Sequence, residues 1–157
     1  MKSVSALVGG LAGACSVTLL HESIRRIDPA APRIDLLGRQ AISKTLKSVG
    51  AKVPEEDSLF NSTIGGDLLS NAMYYSLAGT GKKRKVWIRG ALLGLSAGLS
   101  AVLFPKPVGL NETAANHAIK TKCMTLGLYL VGGLVAAATI KLLQKNNPKF
   151  ELTDFEE

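Results

Sequence analysis

The chain has 157 residues, which leaves room for a single domain. Its formal net charge of +7 would suit nucleic-acid binding, but four consecutive basic residues stand directly beside an apolar segment, where basic residues set membrane topology. The two cysteines form neither a disulfide framework nor a metal-finger spacing. Apolar residues are concentrated in long blocks, and the sequence therefore predicts a helical membrane protein that binds no nucleic acid.

The first predicted helix covers residues 3–27 and ends at the proline-containing stretch 28–32. Its apolar residues continue past Cys15, so we expect it to be retained as a membrane span rather than removed as a signal peptide. A second helix, residues 34–49, has apolar residues at helical spacing and basic residues on the other side. We predict that it lies at the membrane interface; the alternative is that it packs against its own bundle.

Residues 58–79 form the third predicted helix, which is less apolar than the other long segments. Asp67 lies near its middle, and a central aspartate costs about 2.5–3.5 kcal/mol on insertion scales. Small residues recur at every fourth position from Ser58 to Ser70, a spacing that lets two helices approach closely. We therefore expect this segment to cross the membrane with its polar groups facing other helices. Residues 66–79 are similar to stretches of short bacterial membrane proteins, which implies a bacterial cytoplasmic membrane and no particular function.

The fourth and fifth predicted helices cover residues 86–104 and 114–144. Glycines spaced four residues apart in the first and fourth helices remove the side chains from one helix face and favour close packing. These helix-packing residues are Gly9, Gly13, Gly90, Gly94 and Gly98. Residues 1–145 are expected to form one membrane-embedded helical domain, followed by a polar tail, residues 146–157.

The predicted fold is an all-α polytopic membrane protein with four transmembrane helices in a small bundle and one amphipathic interfacial helix. With four spans, both termini lie on the same side as the basic cluster, and the positive-inside rule makes that side cytoplasmic. The basic cluster, which we expect to contact lipid headgroups, consists of Lys82, Lys83, Arg84 and Lys85. The alternative has three spans, with residues 58–79 lying in the interface.

Polar residues spaced three or four apart on the third helix share one face, which in lipid has to turn toward protein or water. Chain direction places the end of the first helix and the start of the fifth on the outer side of the membrane, near that face. Arg89 is an alternative partner for Asp67 from the other side. These groups act either as polar glue between helices, at about 0.6–2 kcal/mol per hydrogen bond, or as a proton or ion relay, and we favour glue. The predicted intramembrane polar cluster is Asp67, Ser70, Asn71, Tyr74, His21, Glu22 and Lys122.

The function predicted from these features is that of a small integral membrane scaffold or accessory subunit, acting through helix–helix packing. Its expected partners are the lipid bilayer and other membrane subunits or a second copy. The alternative is a small transporter or channel with a polar path along Asp67, Asn71 and Tyr74. No nucleophile–base pair or phosphate-binding glycine loop is visible in the sequence, and His21 and His117 do not have metal-ligand helical spacing. We therefore expect no enzymatic activity, no cofactor and no metal.

Overall fold

The computed structural model describes residues 2–111, 113 and 118–145. Over these residues the regular structure consists of helices, with no strand, as the sequence predicts. The α-helices are α1 (Lys2–Arg25), α2 (Ile34–Ser48), α3 (Glu56–Ser76), α4 (Val86–Leu103) and α5 (Ile119–Lys145). The predicted start of the last helix at residue 114 and the predicted tail lie outside the described residues.

Two glycines with positive φ close the turns after α2 and α4. Gly50 has φ +73°, and the amide of Ala51 donates to the carbonyl of Leu46 over 2.9 Å, which is the bond pattern of a Schellman cap. Gly109, with φ +71°, precedes the same kind of bond, from the Leu110 amide to the Pro105 carbonyl. An L side chain rarely adopts this conformation, so glycine is favoured at both positions.

Helix α5 lies at the centre of the bundle because it offers small residues on two adjacent sides. Gly132 and Ala136 face α1, and a Cβ added to Gly13 would lie 2.6 Å from the Gly132 carbonyl oxygen. On the next side, a Cβ added to Gly94 of α4 would lie 2.7 Å from the Cα of Leu130. Helices therefore meet backbone to backbone on both sides of α5, at distances that side chains do not allow.

Helix α3 packs antiparallel along α1. Gly10 of α1 contacts the backbone of Ser76, and Ala6 contacts Gly79 just beyond the end of α3. Within the described residues, three helical segments are long and apolar enough to cross a membrane: Ser3–Arg25, Lys83–Leu103 and Ile119–Lys145. The sequence predicts four transmembrane helices, but α3 does not qualify as one by length and composition. Its polar residues lower its hydropathy.

Helix α2 lies over one end of the bundle. Its residue Leu37 is buried, and Gly38 contacts the side chain of Thr63 on α3. Farther along α2, the side-chain oxygen of Gln40 accepts the amide of Asn111 over 2.8 Å. Helix α2 therefore packs against α3 and against the segment that follows α4.

Candidate functional site

A cavity of about 310 Å³ lies between the end of α1, the underside of α2 and the first two thirds of α3. Most of its wall is apolar, including Ile34, Ile42, Phe60 and Ile64. Its polar and charged lining residues are Thr18, His21, Glu22, Arg25, Asp35, Thr63, Asp67 and Ser70. A concave, mainly apolar site with a few polar groups is the usual form of a small-molecule site, and this volume is at the lower end of the usual range.

Asp35 anchors the first turn of α2 through arginines. Its carboxylate lies 2.9 Å from Nε of Arg33 and 2.8 Å from a terminal nitrogen of Arg39, and 3.5 Å from Arg25 at the end of α1. Burial disfavours the charged carboxylate, but the hydrogen bonds from Arg33 and Arg39 outweigh burial and lower the pKa of Asp35 to about 2. Of these ion pairs, the one with Arg25 links the start of α2 to the end of α1.

Glu22 is neutralised by arginines of its own helix. Its carboxylate oxygens lie 2.6 Å from Arg25 and 3.0 Å from Arg26. Glu22 therefore lines the cavity as part of an ion pair, and it does not join Asp67.

Asp67 is the lining carboxylate that has no cationic partner among the described residues. It accepts one hydrogen bond, from the Asn71 amide over 2.9 Å, and Asn71 is itself buried. The sequence places Ser70 and Tyr74 on the same face, but their hydroxyls point elsewhere: Ser70 bonds to the Asp67 main-chain carbonyl, and Tyr74 to Ser96 of α4 over 2.6 Å. Of the four polar residues on this face of α3, Asp67 and Asn71 therefore form a pair directed inward, and the hydroxyls of Ser70 and Tyr74 do not join it.

Three buried polar atoms of the lining residues have no hydrogen-bond partner within the described part of the chain: Thr18 Oγ1, His21 Nε2 and Arg25 Nε. The His21 ring packs edge-on against Tyr129 of α5, with the ring centroids 5.5 Å apart. Buried polar atoms are usually paired, so these three are exceptions among the lining residues.

The cavity brings together His21, Glu22, Asp67 and Ser70 of the predicted polar cluster. Lys122 is exposed on α5, and its neighbour Lys120 pairs with Asp28 instead, over 2.6 Å. Arg89, the alternative partner for Asp67, donates to the carbonyls of Ala78 and Lys82 near the other end of the bundle. His117 lies outside the described residues.

All of the glycines singled out by the sequence face α5 inside the bundle. Gly9 and Gly13 contact α5 from α1, and Gly90, Gly94 and Gly98 contact it from α4. These close-packing surfaces are therefore already occupied within one chain.

The predicted lipid-headgroup residues Lys82, Lys83, Arg84 and Lys85 are exposed at the end of the bundle opposite α2. Lys141 and Lys145 are exposed at the same end. The acidic residues of the described ranges lie around the end of α1, on α2, and on α3 or directly before it. One end of the bundle is therefore basic, whereas the other carries paired charges of both signs.

Sequence reasoning missed four of the polar lining residues: Thr18, Arg25, Asp35 and Thr63. The one local signal was the four-residue spacing of Asp35 and Arg39, which favours an ion pair on a helix surface. That signal places the pair on α2 and does not reveal that α2 covers α1 and α3.

No family model, curated protein or solved structure matches this chain. The part of the chain that the structure describes is an all-helical bundle, and three of its helices are apolar and long enough to cross a membrane. A partly polar cavity lies at one end of that bundle.

Proposed function

We propose that this chain is a small integral membrane scaffold or accessory subunit that crosses a bacterial cytoplasmic membrane four times. The observation that carries the proposal is the backbone-to-backbone packing of α1 and α4 on α5. Such packing gives a rigid bundle whose glycine faces are used internally, and which presents its apolar side chains outward. A rigid body with apolar outer faces suits association with other membrane subunits.

Four spans are supported by the antiparallel packing of α3 along α1. The contacts of Gly10 with Ser76 and of Ala6 with Gly79 place the end of α3 beside the start of α1. At about 1.5 Å per residue, α3 is about 32 Å long, which matches the hydrocarbon thickness. This packing supports α3 as a further span beside α1, with Asp67 and Asn71 turned toward protein.

The charge distribution supports a cytoplasmic location for the basic end. The cluster formed by Lys82, Lys83, Arg84 and Lys85 is exposed there, next to the start of α4. Basic residues close to a span favour the cytoplasmic side, and each contributes about 1 kcal/mol of attraction to anionic lipid headgroups. In this orientation α2 and the cavity lie at the outer side.

The polar residues of α3 support a scaffold better than a transporter or channel. Below Asp67 the interior is filled by Tyr75, which is fully buried and donates its hydroxyl to the Tyr129 carbonyl over 2.9 Å. Tyr74 turns away toward Ser96. A polar path along Asp67, Asn71 and Tyr74 would have to pass this packed layer.

The outward face of α4 offers the broadest surface for a partner subunit. Its large exposed apolar residues are Trp87, Ile88, Leu92, Leu95, Leu99 and Leu103. In a membrane such a face contacts either acyl chains or another transmembrane helix, without the need to desolvate polar groups.

Site-specific photocrosslinking in native membranes tests the proposal. A photoreactive amino acid at Leu92 of α4 is expected to give a discrete protein adduct that also copurifies stoichiometrically in mild detergent. The matched control places the same group at Leu69 on the outward face of α3, which is equally apolar and exposed. A chain that purifies as a monomer and crosslinks at Leu92 to lipid alone would contradict the scaffold proposal.

A further inference from the structure

The three carboxylates that line the cavity, those of Glu22, Asp35 and Asp67, differ in their partners. Glu22 and Asp35 are each paired with arginines, whereas Asp67 has the amide of Asn71 as its partner. A carboxylate at membrane depth is costly unless a cation or several donors accompany it. Asp67 is therefore the lining carboxylate that a bound cation would stabilise.

The cavity also has the size and the wall for an apolar body. A dry cavity of about 150 Å³ is enough to bind benzene, so about 310 Å³ holds an aromatic ring together with a short chain. Ile42 and Phe60 belong to the apolar wall, and His21 and Thr18 line the same cavity as Asp67.

The cavity opens beside α3. Gly66 and Ser70 line it, and both are exposed at the surface. A Cβ added to Gly66 would have no neighbouring atom within 4 Å, so the lining is open at this residue. We expect a ligand to enter here, between α2 and α3.

We propose that this cavity binds a lipophilic amine, whose ammonium group pairs with Asp67 and whose apolar body lies against the wall formed by α2 and α3. The carboxylate of Asp67, which has no cationic partner among the described residues, selects the cation, and the apolar wall selects the hydrocarbon part. This inference goes beyond the scaffold proposal and does not depend on it, because the cavity is formed within one chain.

The first experiment compares two ligands of the same shape with the purified full chain in detergent. 4-Phenylbutylamine is a cation at pH 7, and 4-phenylbutan-1-ol is its neutral counterpart. Equilibrium dialysis against protein-free micelles measures binding of each compound and corrects for partition into detergent. We expect saturable binding of one amine per chain, about ten- to hundredfold tighter than the alcohol, the range expected for a hydrogen bond to a charged group. Equal affinities, or no saturable binding of the amine, would overturn the proposal.

Two carboxylate variants test the role of Asp67. Asp67→Asn removes the charge and is expected to lower amine affinity to that of the alcohol, while alcohol binding stays unchanged. The control is Asp57→Asn, an exposed carboxylate on the same helix that does not line the cavity, and it should leave both affinities unchanged. If Asp57→Asn weakened amine binding as much as Asp67→Asn, the attraction would be a general surface effect and the assignment would be wrong.

Two glycine variants test the cavity independently of the charge, and they decide the matter if Asp67→Asn fails to fold. Gly66→Leu is expected to fill the opening and weaken binding of both compounds at least tenfold. Gly65→Leu is the matched control, because the two neighbouring glycines are equally exposed and open, whereas only Gly66 lines the cavity. Loss of amine binding in both variants, or in neither, would show that the compound binds elsewhere.

Discussion

Replacing Gly133 with alanine is expected to loosen the contact between α4 and α5, whereas the same change at Gly127 of the same helix is expected to stabilise the protein. Both positions lie inside α5, so both changes remove the helix penalty of glycine, about 1 kcal/mol. The environments differ. A Cβ at Gly127 meets nothing within 4 Å, whereas one at Gly133 would lie 2.9 Å from the Gly94 amide nitrogen and would also overlap the Gly90 carbonyl oxygen.

The size of the effect follows from these distances. Carbon contacts are normally about 3.5–4.0 Å, so α4 and α5 have to separate by about 0.5–1 Å. A gap of that size removes about a quarter to a half of the attraction between each facing atom pair. For on the order of 40 pairs at about 0.15 kcal/mol each, the loss is about 1.5–3 kcal/mol. After the helix-propensity gain, Gly133→Ala should lower the free energy of unfolding by about 0.5–2 kcal/mol.

The single tryptophan provides the assay. Trp87 lies in the first turn of α4, with the Lys141 ammonium of α5 5.9 Å from its ring centroid, so its fluorescence reports directly on separation of the two helices. Unfolding of each variant by increasing SDS in mild-detergent micelles gives the two free energies. The difference between the Gly133 and Gly127 variants cancels the propensity term and should be about 1.5–3 kcal/mol. Equal stabilities, or a more stable Gly133→Ala protein, would refute the inference that close helix packing holds the bundle together.

Three further predictions concern topology, ion pairing and the buried tyrosine. In a protein with Cys15 and Cys123 replaced, single cysteines at Lys47 and Lys83 should be labelled by a membrane-impermeant maleimide from opposite sides; labelling from the same side would support three spans instead of four. The Asp35 carboxylate, with its pKa lowered to about 2, contributes stability that is complete above pH 3.8 and is lost as the pH falls toward 2. Asp35→Asn should therefore lower the free energy of unfolding by about 1 kcal/mol at pH 7. It should also remove the loss of stability between pH 3.8 and about 2 from melting curves recorded at different pH. If that loss is unchanged in the variant, it belongs to another group. Tyr75→Phe should lower the free energy of unfolding by about 1 kcal/mol, because the buried Tyr75 hydroxyl bonds to the Tyr129 carbonyl. Tyr74→Phe removes an exposed hydrogen bond and should have a much smaller effect on SDS unfolding. Equal losses in the two variants would count against the buried bond.

The helices of this protein are determined largely by local sequence. The break after α1, the prolines that follow α4 and the apolar periodicity all act within a few residues, so the predicted bounds differ from the observed ones by only a few residues where both are described. The Schellman turn at Gly50 has the same local origin. The sequence also indicates that α3 is exceptional, since Asp67 and Asn71 interrupt its apolar pattern.

The tertiary structure alone decided which faces meet. Periodicity tells which residues share a face, but the glycine rows of α1 and α4 would fit many surfaces equally well. They both meet α5, because Gly132 and Gly133 begin two adjacent rows of small residues on that helix. The cavity has the same origin: Thr18 and Asp35 lie far apart in the chain and become neighbours only once α2 folds over α1 and α3. Local sequence sets each helix and its faces, whereas pairing of faces depends on shape complementarity between distant segments, which no short stretch contains.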